Sequence, residues 1–193
     1  MTVTAGFADP ARDAQATFRC LLEAIAHPGR IVDTVTSPSP PAPLLAPAYA
    51  LVLSLLDYET PVWLDNRLAT AAVRDTLRLH CGCPIVTQPQ QASFALLAAG
   101  TSASLDDFAA GTPEYPDRSA TLVWQVEDLS NDGGAVLSGP GILGSTRLNA
   151  SGLPADFWTQ WGMNHRQYPL GVDVVLVTAD GIAALPRSIE VQA

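Results

Sequence analysis

Tyr168-Pro-Leu-Gly-Val-Asp-Val-Val-Leu-Val-Thr178 is the stretch on which the fold turns. From Val172 to Val177 it is aliphatic and β-branched on both faces, apart from Asp173. A run without alternation suits a strand covered on both sides. Pro169 and Gly171 mark where the chain enters it, because neither suits the interior of a central strand. The pattern predicts that this strand is the centre of the sheet. A carboxylate there loses hydration and needs an Arg, several N–H donors or a proton. Asp173 meets that need either at the strand mouth, by accepting backbone N–H groups, or in the wall of a pocket.

Outward from that strand, single strands and helices alternate. Asp9-Pro10 opens a helix whose Ala14, Phe18, Leu21, Leu22 and Ile25 share a face, and His27-Pro28-Gly29 closes it. Ile31-Val32 begins a short strand, and five prolines (38, 40, 41, 43 and 47) make an extended loop. Ala46 to Leu56 reads as a buried helix, Val62 to Leu64 as a strand, and Leu68 to His80 as a helix. Pro84–Thr87 and Ser93–Ala98 are apolar strands, and Ser104 caps a short helical turn. In Thr121–Glu127, Leu122, Trp124 and Val126 face one way, and Thr121, Val123 and Gln125 the other. Asp132-Gly133 reads as a hairpin turn whose return strand is Ala135–Ser138. Pro154 to Trp161 is an amphipathic helix, followed by Ile182–Leu185 and a last strand at Ser188–Val191. The expectation is one α/β domain over residues 1–193, three-layered, with a central mixed β-sheet and helices on both faces.

Composition excludes several classes. The chain has 193 residues, 48% of them apolar, and a net charge of −9. Nucleic-acid binding needs clustered cations, and no basic run exists. The apolar excess points to a covered interaction surface. All ten cations are Arg, so no lysine can form a Schiff base or complete a P-loop. Residues 1–8 carry no signal-peptide pattern, and Leu44–Leu56 is too short to span a bilayer. Three cysteines do not make a disulfide framework. A soluble, cytoplasmic protein without a membrane segment is expected.

Candidate chemistry is sparse. Cys81-Gly82-Cys83 beside His80 suggests a metal, but Cys20, His27 and His165 lack the spacing to complete a set, so no metal is expected. His80 sits at a helix end, where its proton affinity is tunable, beside Arg78. Asp57 and Glu59 could do acid–base work, or simply cap and solvate a turn. Gly139-Pro140-Gly141 is no dinucleotide fingerprint, yet Gly139 and Gly141 allow close approach to an anion or another chain. Arg187 could answer Asp173 or hold a phosphate-like group. No Gly-x-Ser-x-Gly elbow is present. By these residues alone, a ligand site at Asp57, Glu59, Arg78, His80, Gly139, Gly141, Asp173 and Arg187 competes with a purely structural role for each, and with a hydrolase built on His80.

Asp13-Ala14-Gln15, Phe18-Arg19, Pro28-Gly29, Leu56 to Leu64, Leu77 to His80, Ala92 to Ala95, Ala120 to Leu122, Gly139 to Ile142, Pro169 to Asp173 and Leu185 to Arg187 resemble, in order and spacing, the H-subunit family of bacterial carbon–phosphorus lyase. The resemblance implies a homodimeric subunit, with no catalysis assigned to it, that assembles with G, I and J subunits. That complex joins a phosphonate to the ribose of ATP with loss of adenine, and its J subunit later cleaves the C–P bond with an iron–sulfur cluster and S-adenosylmethionine. It also implies a fold similar to the large domain of type I PLP-dependent transferases, here without PLP or any other cofactor. The chain departs from the pattern at Cys81-Gly82-Cys83 and at Ser188-Ile189.

Overall fold

The computed structural model describes residues 4–36 and 38–192. Helix α1 runs from Pro10 to Ala26; Asp9 caps it by accepting from the Arg12 N–H at 3.2 Å, and Pro10 takes the first position. Strand β1 is Val32–Asp33, α2 is Ala46–Leu55, β2 is Val62–Leu64 and α3 is Ala71–His80. Strands β3 (Ile85–Val86), β4 (Phe94–Leu97) and β5 (Thr121–Gln125) follow, then β6 (Asp128–Ser138) and β7 (Thr146–Ser151). Helix α4 is Phe157–Arg166, and the chain ends in β8 (Asp173–Val177), β9 (Gly181–Leu185) and β10 (Glu190–Gln192).

Seven strands form one sheet in the order β1-β9-β8-β5-β4-β2-β3, and three form another in the order β10-β6-β7. Strands β3, β2, β4, β5 and β8 are mutually parallel, while β9 and β1 add antiparallel. Mixed architecture is therefore present as expected. The strict two-residue period divides the buried residues into two cores. Leu64, Leu96, Val123, Val175, Val177 and Ile182 face α1, α2 and α3. Leu97, Leu122, Trp124, Val174, Leu176 and Leu185 face α4 and the small sheet. Each layer thus covers one side of the seven-stranded sheet, and the alternation read in residues 121–126 holds.

Two expectations are corrected. The strand at 172–177 is interior but not the middle of the seven; that place belongs to β5, between β8 and β4. Continuous hydrophobicity reports covering on both faces, which every interior strand shares. The Asp132-Gly133 hairpin is absent: residues 128–138 form one strand, with a register shift between Ser130 and Ala135, and its partner is β7. Gly133 and Gly134 have φ of +82° and +75°, so the glycines shape a bulge rather than a reversal. Smaller shifts follow local chemistry. Thr70 caps α3 by accepting the Val73 N–H, so that helix starts after residues 65–70 rather than at Leu68. The last strand begins at Glu190 because Ile189 N–H is bonded to Pro186 O in a turn.

Ligands of parallel sheets favour the carboxyl ends of the strands where the winding direction reverses, here between β2 and β4. The chain fills that end itself. Asp65, after β2, accepts the Arg67 N–H at 2.8 Å and the Ala98 N–H at 3.4 Å. Gln125, closing β5, accepts the Leu45 N–H at 2.7 Å and donates to Pro43 O at 3.4 Å, pinning the proline-rich loop across the rim.

Candidate functional site

The opposite rim, where the parallel strands begin, holds the largest concentration of the charged residues singled out by sequence. Asp173 is placed there by an unusual anchor. Asn164 of α4 donates to Val172 O at 2.9 Å and accepts the Val172 N–H at 2.8 Å, pairing that residue as a neighbouring strand would. Gly171 passes so near that a Cβ would stand 2.7 Å from Asn164 Oδ1, at a φ of +116°. Asn164 was not among the sequence candidates; its trace in the sequence is an amide at i+3 from Trp161 and i+7 from Phe157, on the apolar face of the helix.

Arg187, just past β9, meets Asp173. Its backbone N–H and Nε donate to Asp173 Oδ1 at 2.8 and 3.1 Å, and Nη2 donates to Oδ2 at 2.5 Å. Nη1 donates to Pro116 O at 2.8 Å, and His165 Nδ1 lies 3.1 Å from Arg187 O. Asp173 sits at a strand mouth, takes the backbone N–H of Arg187 and answers its guanidinium. The side chains are 30% and 16% exposed, so the pair is shielded without being sealed. Every Arg187 nitrogen already donates, and both Asp173 oxygens already accept. The corner is a bidentate clamp.

Beside it lies a slot of about 260 Å³ between α1, α2 and the sheet. Leu21, Ile25, Leu51, Leu55 and Phe94 form apolar walls, and Thr121 and Asp173 lie at the strand-start end. Such a lining accepts aliphatic or aromatic groups and offers no cation to a phosphate.

The other candidates lie elsewhere. Gly139 and Gly141 do mediate close approach, but to the chain itself: a Cβ at Gly139 would stand 3.2 Å from Ser188 O, and one at Gly141 would collide with Ala26 O. Asp57 accepts the Thr60 hydroxyl at 2.7 Å and the Glu59 N–H at 3.0 Å, and these bonds hold its carboxyl below the usual range. Glu59 is exposed. His80, at the end of α3, has Nε2 2.9 Å from Thr4 O, and Arg78 lies 4.0 Å from Asp75. Residues 57–60 precede β2 and His80 precedes β3. These are three and four strands from β8, roughly 14 and 19 Å at the usual strand spacing. Among the described residues, no hydrogen bond or ion pair joins His80, Arg78, Asp57 or Glu59 to the Asp173–Arg187 corner. The described residues hold no group of three or more His, Cys, Asp or Glu placed to bind a metal ion, and no helix long and apolar enough to cross a membrane.

The family model described as "Bacterial phosphonate metabolism protein (PhnH)" matches residues 5–192. The chain belongs to the PhnH family. A relative from Rhizobium meliloti (strain 1021), named "Alpha-D-ribose 1-methylphosphonate 5-triphosphate synthase subunit PhnH", is 37% identical over 187 residues, covering 96% of this chain and 94% of its own. A second, "Putative C-P lyase subunit protein HtxG" of Stutzerimonas stutzeri, is 31% identical over 174 residues, covering 90% and 83%. The resemblance read from ordered motifs is therefore correct. The Asp173–Arg187 clamp and the glycine contacts are features of a PhnH chain whose charged candidates form one corner and several scattered turns.

Proposed function

We propose that this PhnH-family chain is an organising subunit of a phosphonate-processing complex of the kind its relatives are named for, a ribose 1-methylphosphonate 5-triphosphate synthase or carbon–phosphorus lyase. In this reading it acts as one domain, as a homodimer, with G, I and J subunits as partners and no catalysis of its own. Its frame is similar to the large domain of type I PLP-dependent transferases. Without a lysine to form an imine the residues do not fit PLP, and no step runs through that group. One observation carries the reading: the shielded cation Arg187 already donates from Nε, Nη1 and Nη2 to Asp173 and Pro116. Binding a triphosphate or a phosphonate needs uncommitted donors converging on one place. The test is co-expression with the three partner subunits, followed by purification on a tag carried by one of them. Co-elution in fixed ratio is the expected result, and a chain that stays behind as a monomer overturns it.

A second reading keeps Asp57, Glu59, Arg78, His80, Gly139, Gly141, Asp173 and Arg187 as contributors to a nucleotide or phosphonate site. The slot ending at Asp173 favours it, since a site completed by a partner's cations could use that wall. Calorimetry with ATP and methylphosphonate separates the two. Heat from the wild-type chain that Arg187→Ala abolishes supports the ligand site, and no heat from the wild type removes it for the isolated chain.

A further inference from the structure

Three register partners cross the strand-start rim side by side: Phe94 of β4, Thr121 of β5 and Asp173 of β8. They share the face that looks toward α1 and α2, because Leu96, Val123 and Val175, two residues further along each strand, all belong to the core beneath those helices. All three line the slot of about 260 Å³. One end of its floor is thus a ring, a hydroxyl and a carboxylate in a row, on strands about 4.8 Å apart. The walls are aliphatic, with Leu21 and Ile25 from α1 and Leu51 and Leu55 from α2.

The polar end is fixed but not used up. Asp173 Oδ1 accepts two N–H groups of Arg187, and Oδ2 accepts one. A carboxylate offers about four acceptor positions, two on each oxygen, so Oδ2 keeps one. Among the described residues nothing bonds to the Thr121 hydroxyl, which lies beside it in the slot. Arg187 also balances the charge of Asp173, so this end gives little advantage to a cation and leaves an anion without a partner. What it satisfies is a neutral donor. Size and shape narrow the choice further. An apolar cavity of about 150 Å³ takes benzene, and about 260 Å³ leaves room for a second fused ring. Val123, Val175 and Ala184 give the floor a smooth surface, and Phe94 gives a ring to pack against.

We propose that this slot binds an uncharged, flat aromatic molecule of one or two fused rings that carries an N–H or O–H donor on one edge. The ring lies on the strands against Phe94, and the donor reaches Asp173 Oδ2 with the Thr121 hydroxyl beside it. The Asp173–Arg187 clamp then holds an acceptor in place for the ligand. The site needs neither a phosphate nor a partner subunit, and so stands apart from both readings of the function.

The test uses the full chain, isotope-labelled for amide spectra, with indole as the probe. Indole should bind once per chain with a Kd below about 1 mM, and the shifted amides should centre on Phe94, Thr121 and Asp173. 1-Methylindole, which lacks the donor, should bind at least about tenfold more weakly. Indole-3-acetate, which brings a charge with no partner, should not bind at the same concentrations. Thr121→Val keeps the shape of the side chain and should weaken indole by about three- to tenfold while leaving 1-methylindole unchanged. Ile25→Trp, at the 43% exposed mouth, should block both. The comparison of probes on the wild type needs no substitution, so a variant that fails to fold cannot rescue the idea. Four results overturn it: no shifts at millimolar indole, equal binding of indole and 1-methylindole, cyclohexanol binding as tightly as phenol, or binding that falls with rising protein concentration because a second copy fills the slot.

Discussion

Asn164 supplies with one amide what the start of β8 would otherwise take from a neighbouring strand. Removing it leaves both polar groups of Val172 buried and unpaired. Asn164→Ala should therefore cost about 2–4 kcal/mol, read as a lower urea midpoint. An Asp there would still accept the Val172 N–H but could not donate to its carbonyl. Tyr49 gives a pH-dependent counterpart. Burial, and then the neighbouring Cys81, push its phenol up to about 12 from an ordinary value of about 10. The folded state thus favours the neutral phenol. Its contribution is complete below pH 10 and is lost as pH rises toward 12. The urea midpoint of the wild type should fall more steeply over that window than that of Tyr49→Phe. Residue chemistry was only half legible in the sequence. Asp173 and Arg187 stood out because a charge beside an apolar run demands an answer. Asn164 did not, because an amide on a helix reveals its depth only when the partner layer is known; Tyr49 lay in a helix read as buried, but nothing marked its phenol.

Strands with clean alternation or continuous apolar character, β2, β5 and β8, were readable to within two residues. The pair β6 and β7 was not. Asp132-Gly133-Gly134 carries the signature of a reversal, and only the register with Arg147, Leu148 and Asn149 shows that the chain continues straight on. Gly134 is indispensable to that register: at φ +75°, any side chain would drive Cβ into Leu148 O. Gly134→Ala should lower stability by at least about 2 kcal/mol, by strain and by loss of the β6–β7 pairing. Gly133→Ala, which meets nothing within 4 Å, should cost less, leaving a contrast measurable by thermal melting. The proline-rich loop depends on one side chain in the same way. Helix α2 has no side-chain cap, and Gln125 accepts the N–H of Leu45, the residue before it. Gln125→Ala should destabilise by about 1–3 kcal/mol and expose residues 38–45 to protease well before the sheet opens.

Across the whole molecule, the sheet sorts apolar surface efficiently but leaves one stripe outside. Phe18, Leu22 and Ile25, at i, i+4 and i+7 on α1, are 45%, 48% and 43% exposed and border the slot lined by Leu21 and Leu55. A run of that spacing on an otherwise acidic chain is where a covering surface would be sought. Leu22→Glu should leave the melting temperature within a degree or two, while reducing self-association or capture by partner subunits by tenfold or more. Static light scattering and the co-elution assay read those two effects, and an unchanged assembly would exclude this stripe from the contact. The layered α/β plan itself was legible from alternation. The distribution of the charged candidates was not, because sequence order says nothing of how many strands lie between two turns on one rim.

Gln125 and Asp65 have a further consequence for anyone wishing to endow this scaffold with chemistry. Nature's habitual doorway in such sheets is bolted from indoors, by two side chains gripping the chain's own amides. Withdrawing the bolts, with Asp65 and Gln125 shortened and the proline segment trimmed, would open the rim over β2, β4 and β5. A guest designed for that space would meet no resident to evict.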